Sequence, residues 1–433
     1  MRSRKKSRFG GALLAALALA PGALAQRRLD VTNFIVVGEG LAAGQSNYTL
    51  SEVVQRFNFP ALMARQMGAL FPQPILLAPG AGDALGVQAL PARIPAYPAG
   101  SVREFVRVDP PKRDEGPTLF IFNVSVPNHR LEHALSRRPV FPLIHENNTQ
   151  QTLLNLLLGI PNMLFDTDVP LWTQVEYAEA MNPTLALVEL GYYEALEAAV
   201  SGDPSRIPDP AAFRANYNQV LQRLRRNFAE VVATTIPDPM DTAYWTPAVE
   251  AANFLRTPPY VVLLGYGVTE QDYVSRNALY EIGNQLIRRR LEPLPAGSIL
   301  RAAVAAQIRQ RVRALNNEIT AAARDAGAQV YDLAALFARV KTQGVQVGSR
   351  RVTGEYLGGF YSLDGFYPGI TGHAIIANEI LSLLNRTYSR SFSLLNLAQI
   401  AAQDAAFQDR QAPALFYTEA ELDFVRPVQE PIE

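Results

Sequence analysis

The stretch Phe34-Ile35-Val36-Val37-Gly38-Glu39-Gly40-Leu41-Ala42-Ala43-Gly44 decides the fold. An apolar run of five residues closes on a glycine, and a glycine-punctuated turn follows at once. So short and continuous a run reads as a strand buried on both faces, which is the habit of parallel sheets. Five further runs have the same character: 118–126, 184–190, 228–236, 260–264 and 328–333. Two long amphipathic stretches lie among them. Residues 211–227 place Phe213, Tyr217, Val220, Leu221 and Leu224 at three- and four-residue steps. Residues 299–326 do the same with Val304, Ile308, Val312, Leu315 and Ile319, and stop at Gly327. Strand–helix–strand repetition predicts an α/β fold: a flavodoxin-like, three-layer α/β/α domain over 26–390 with a central parallel sheet.

Outside that pattern the chain changes character. Residues 1–9 carry Arg2, Arg4, Lys5, Lys6 and Arg8, followed by the apolar run 10–20 and the small-residue site Ala23-Leu24-Ala25. That is the pattern of a secretory signal peptide over 1–25, too short and too interrupted by Pro21 for a membrane span. Cleavage there removes five of the 40 basic residues and leaves 35 against 40 acidic ones. The expectation is an exported, periplasmic or extracellular chain without a transmembrane segment. The slightly acidic balance speaks against a nucleic-acid partner. With no cysteine, disulfides, thiolate metal sites and a cysteine nucleophile are excluded. The run 153–165 reads as buried helix plus turn. The region 72–117 is dense in proline and glycine and reads as a long loop or an inserted β-rich cover. The tail 391–433 begins as a helix and ends polar.

Ligands of an open parallel sheet bind beyond the carboxyl ends of its strands. The residues in those positions are Gly38-Glu39-Gly40, Ser125 and Asn128, Gly191-Tyr192-Tyr193-Glu194, and, before the last long helix, Asp364-Gly365-Phe366-Tyr367-Pro368 with Gly372-His373. In order and spacing these blocks resemble those of the SGNH hydrolases, the GDSL esterase and lipase family, over most of residues 30–390. The resemblance implies an exported bacterial acylhydrolase scaffold with a serine nucleophile, a histidine base oriented by an aspartate, and oxyanion donors. At the matching positions the nucleophile is Gly40 and the base is Tyr367. The oxyanion donors fall at Ser125 or Asn128 and at Tyr193, and only the acid, Asp364, is retained. Glycine forms no acyl intermediate, and a phenol near pKa 10 is a poor proton acceptor. The expectation is a pseudo-hydrolase with absent or feeble ester hydrolysis. Its old cleft, lined by Gly38, Glu39, Gly40, Ser125, Asn128, Gly191, Tyr193 and Tyr367, would bind a small molecule, lipid, glycan or partner.

Two enzymatic alternatives stand beside it. A working ester hydrolase would use a displaced hydroxyl such as Ser46, Thr49 or Ser362, with His373 as the histidine nearest Asp364 in the chain. A zinc hydrolase would use His129-Arg130-Leu131-Glu132-His133, an H-x-x-E-H pattern that places two histidines on one helical face with a glutamate as base. Its third ligand has no assignment, and the same segment fits a surface helix. No cofactor is expected: the glycine-rich turn has no Walker lysine, and no complete dinucleotide fingerprint occurs. The arginine triplets around 223–226 and 288–290 read as solvated charge.

Overall fold

The computed structural model describes residues 29–78, 80–81, 106–109, 120–165 and 170–404. The signal-peptide reading, most of the proline-rich region and the polar end of the tail lie outside the described residues.

The molecule is α/β, built on a four-stranded, all-parallel sheet of β1 (Phe34–Gly38), β2 (Leu185–Glu189), β3 (Glu230–Thr234) and β4 (Gln329–Tyr331), paired in that order. Every residue of β1 and β2 is buried, as expected of strands covered on both faces. Of the run 118–126, residues 120–126 are described and do not form a full strand. Its described part lies extended beside β1 with a single bridge, Asn123 to Val36. Three backbone bonds hold it: Val36 N–H to Phe122 O, Val124 N–H to Val36 O and Val126 N–H to Gly38 O. The Asn123 side chain donates through Nδ2 to Ala42 O and Gln73 Oε1, which ties this edge to the turn after β1.

The helices follow their apolar stripes. α5 (Pro210–Leu224) starts with Asp209 accepting from the amides of Ala211 and Ala212 and proline in the first turn, and it buries the five predicted residues. α6 (Ala302–Ala326) packs against α5 through Ile308, Val312, Leu315 and Ile319 and ends at Gly327, whose φ of +65° suits a left-handed cap. It starts after Leu300, because Ile299–Leu300 pairs with another strand. α7 (Leu333–Thr342) follows β4, and α2 (Phe59–Met67) packs against α8 (Ile370–Tyr388). The short helix Leu397–Gln403 also packs on α8, and Asp404 accepts from Thr371 N–H and Oγ1–H at its head.

Two sequence expectations are corrected here, and one lobe that no expectation covered is added. Residues 260–264 are not a strand but lie in a helix, Pro259–Gly265. Proline in its first turn needs no donor there, and a five-residue apolar run does not by itself separate strand from helix. The stretch 153–165, expected as helix plus turn, is helical throughout: Thr149–Leu154, the π-helical Asn155–Gly159 and Ile160–Phe165 follow without a break. Finally, residues 245–300 form a lobe of their own. Three antiparallel strands and the helices Ala248–Phe254, Pro259–Gly265 and Arg276–Arg288 enclose a separate core of Val261, Val262, Val274, Leu279, Ile282 and Leu286. In the 72–117 region the described backbone is one antiparallel pair, Gln73–Leu76 with Val106–Asp109.

Candidate functional site

The carboxyl ends of β1 and β2 carry a buried polar centre. β1 runs into α1 (Gly40–Ala43), and Glu39 is its N-cap. β2 ends on Glu189, whose Oε2 accepts from Glu39 N–H at 3.2 Å and from Ala42 N–H at 3.1 Å. α4 (Tyr192–Ser201) follows Gly191, where φ is +107° and a Cβ would lie 2.6 Å from Ile236 Cδ1, so only glycine fits. Glu194 in the first turn of α4 accepts from Leu131 N–H at 2.8 Å. That amide opens α3 (Leu131–Ser136).

Glu39, Glu189 and Glu194 are each about 1 % exposed or less. Burial holds all three carboxyls above their ordinary range; Glu189 and Glu194 push Glu39 the same way, Glu194 pushes Glu189, and Glu132 pushes Glu194. The Glu39 carboxylate faces the amides of Tyr192 and Tyr193, which lower its pKa, but no donor reaches hydrogen-bond geometry with either oxygen. The nearest cation is Arg130, and its guanidinium pairs with Glu197 instead.

Tyr367 closes this centre. It is fully buried, edge-on to Tyr192 at 6.1 Å between ring centroids. A Cβ added to Gly40 would lie 2.6 Å from Tyr367 Oη and 2.6 Å from Gln45 Oε1. A Cβ at Gly38 would meet Ala42 Cβ at 2.7 Å and Ser125 Oγ at 2.9 Å. The hydroxyls of Tyr367 and Ser125 are buried without a hydrogen-bond partner. Asp364 does not face an imidazole. Its Oδ1 accepts from the amides of Phe366 and Tyr367 at 2.8 and 3.0 Å, and its Oδ2 from Tyr48 N–H at 3.3 Å. It therefore fixes the loop that carries Tyr367, while its own burial raises its pKa.

Gly38, Glu39, Gly40, Ser125, Gly191, Asp364 and Tyr367 thus surround one sheet edge. Tyr193 contributes its backbone amide. Its phenol lies by Glu197 and Arg130 and is pushed up to about 12 by burial first and Glu197 second. Asn128 takes a φ of +58° in the turn after the 122–126 segment.

The H-x-x-E-H segment does not present both histidines on a helix. His129 precedes α3 and is buried, and only His133 lies within the helix. Gln174 settles the tautomer of His129. Its Nε2 donates to Gly38 O and Val124 O, so its Oε1 accepts from His129 Nδ1–H at 2.7 Å. Burial lowers the His129 pKa to about 3, which keeps the ring neutral. Glu132 is largely exposed and leans on His133 Nε2 at 3.7 Å. Among the described residues no set of three metal-ligating side chains gathers.

Of the displaced hydroxyls, Ser362 hydrogen-bonds the Asp364 carboxyl, while His373 is engaged elsewhere. His373, buried in α8, accepts from Phe59 N–H through Nδ1 at 3.3 Å, and burial lowers its pKa to about 3. Ser362 Oγ accepts from Asn47 N–H, while the Ser46 hydroxyl is buried without a partner.

Sequence reasoning missed Glu189, Gln45, Gln174 and Tyr48. Glu189 had a signal, since a carboxylate ending an otherwise apolar strand is out of place on a buried sheet. Gln45, Gln174 and Tyr48 had none, because only folding brings them to this edge. Compared with known protein families, curated proteins and solved structures, the chain matches none of them.

Proposed function

We propose that this chain is a non-hydrolytic relative of the SGNH ester hydrolases, a flavodoxin-like scaffold whose acyl-transfer centre has been filled in. Counting the 122–126 segment as a rudimentary edge strand, the sheet order becomes 2-1-3-4-5, the flavodoxin-like order. The blocks that resemble the family's lie together at the carboxyl end of β1 and β2, where that fold places its ligands. The observation that carries the reading is the contact at Gly40. The position matching the nucleophile has no side chain, and the space one would need is taken by the phenol of Tyr367. Losing the serine or the histidine alone costs a subtilisin-type enzyme roughly 10⁶ in rate, so the pair leaves little beyond binding. A lipid or glycan ligand of the old cleft must first displace Tyr367.

The mature protein is expected to hydrolyse p-nitrophenyl acetate and butyrate no faster than buffer, and to resist a fluorophosphonate probe. Stoichiometric labelling of a serine would overturn the reading in favour of a working esterase. The signal-peptide pattern proposes export. Expression with the natural N-terminus in a bacterial host is expected to give a mature chain beginning at Gln26, checked by intact mass. A chain that keeps Met1 would remove that proposal.

A further inference from the structure

We propose that a cleft between the 245–300 lobe and α7 binds a small zwitterion, a free α-amino acid, whose carboxylate meets Lys341 and whose ammonium meets Glu250 and Glu355. The cleft is separate from the sealed centre, and the inference does not depend on the family reading.

The cleft has a volume of about 220 Å³. From the lobe, Thr246 of the strand Trp245–Pro247 lines it, with Glu250, Asn253 and Phe254 of the helix Ala248–Phe254. Asn253 and Phe254 stand three and four positions after Glu250, so one helical face presents all three. The other wall is Lys341, in the last turn of α7, with Glu355 and Tyr356. Drug-sized ligands occupy clefts of about 300–1,000 Å³, so this smaller volume suits a single amino acid. Glu250, Asn253 and Glu355 are exposed, which leaves the cleft open to a ligand from solution.

The walls are held in place from both sides. Phe254 and Tyr356 meet edge-on with ring centroids 5.8 Å apart, which joins the lobe to the 353–359 loop. Arg276 covers the Tyr356 ring at 5.5 Å and donates from Nε to its Oη at 3.2 Å. Thr353 N–H donates to Gly358 O and Gly358 N–H to Glu355 O, both at 2.9 Å, and these bonds close the loop that presents Glu355 and Tyr356. Gly354 N–H donates to Val340 O at 3.2 Å, and a Cβ on Gly354 would lie 2.9 Å from Lys341 Cα. The loop therefore lies directly against the end of α7.

The charges carry the inference. Lys341 is the one lysine among the described residues. Among those residues its ammonium makes no ion pair and no hydrogen bond, and neither do the carboxylates of Glu250 and Glu355. Arg339, two residues earlier on the same helix, does reach a carboxylate, that of Glu379. Opposite charges that line one cleft without touching leave a gap that a molecule carrying both signs would span. An anion alone would meet two carboxylates, and a cation alone would meet Lys341. The rings of Phe254 and Tyr356 offer apolar surface to the ligand's side chain. Thr246 and Asn253 add a hydroxyl and an amide for its remaining polar atoms.

The test uses the mature full-length protein. The common L-amino acids are each titrated against it by calorimetry at up to about 10 mM, followed by the N-acetyl and carboxamide forms of whichever binds. At least one amino acid is expected to bind with a Kd below about 1 mM. Capping either of its charges should weaken it about tenfold or more, the usual worth of a charge-assisted hydrogen bond. In Lys341→Met the free amino acid and its carboxamide should bind alike. In the double variant Glu250→Gln/Glu355→Gln the free amino acid and its N-acetyl form should bind alike. Circular dichroism checks the fold of both, and the double variant alters only exposed side chains, so it keeps the test decisive should Lys341→Met fail to fold. Absence of binding by every amino acid tried overturns the proposal. So does binding that the folded variants leave unchanged, or that the capped forms reproduce.

Discussion

Gly40 and Tyr367 form a pair in which each residue explains the other. A methyl group on Gly40 meets Tyr367 Cζ at 2.7 Å, and the ring is hemmed in by Tyr192 behind it. Gly40→Ala is therefore expected to overpack the centre and cost about 1–3 kcal/mol in denaturant unfolding. Tyr367→Leu alone leaves a cavity and should cost about 2–4 kcal/mol. The double variant should be more stable than the sum of the two by about 1 kcal/mol or more, which a double-mutant cycle measures. Strict additivity would mean that the ring is not what excludes a side chain at Gly40. Asn155 works by a different route. Its amide donates to the carbonyls of Val140, Pro142 and Leu143 and accepts from Val140 N–H and Gln151 Nε2. Asn155→Leu strands these groups, and a loss of about 3 kcal/mol is expected. Asn155→Asp should recover only the accepted bonds.

At the scale of elements, the sequence was most legible where an apolar period ran long. The stripes of α5 and α6 extend over several turns, and their buried residues are those the period selects. The same reasoning failed at 260–264, where five apolar residues between Pro259 and Gly265 carry too little period to separate helix from strand. It failed at 118–126 for another reason. Asn123 and Ser125 interrupt the apolar run: Asn123 Nδ2 donates to Ala42 O and Gln73 Oε1, and its Oδ1 accepts from Ser125 N–H. The lobe of residues 245–300 was invisible as a unit, because no composition change marks its borders. Its separate core makes a prediction: Ile282→Ala should cost the lobe about 2–4 kcal/mol. Hydrogen exchange should then quicken across 248–286 while β1, β2 and β3 keep their protection. Equal loss in the sheet would show that lobe and sheet unfold as one unit.

For the whole molecule, buried titratable groups of two kinds set the response to pH. Glu39, Glu189, Glu194 and Asp364 have folded pKa values raised above their unfolded ones. The folded state then holds more protons than the unfolded state once pH exceeds the ordinary carboxyl range, so their stabilisation is lost as pH rises through neutrality. His129 and His373 are lowered to about 3, and His133 to about 4, each chiefly by burial. Below the ordinary imidazole value the unfolded chain takes up protons that these rings refuse, so their contribution is lost as pH falls. The two effects oppose, and stability should peak on the acid side of neutrality, at roughly pH 4–6, and decline towards pH 9. Thermal unfolding across that range checks it. A maximum at or above pH 8 would contradict the assignment of protons to the buried carboxyls.

The amino-acid sequence alone determined the α/β class, the glycine-rich turn after β1, and a glycine at 40 and a phenol at 367. These depend on local properties: strand-length apolar runs, helical period and the chemistry of single side chains. Only the tertiary structure decided that the centre is shut and acidic. Glu189, Gln45 and Gln174 lie far from Tyr367 along the chain, and their meeting depends on how β1, β2 and the 362–368 loop converge. Whether a carboxyl keeps its proton follows from the water and counter-charges that packing excludes, and no local pattern in a sequence records that exclusion.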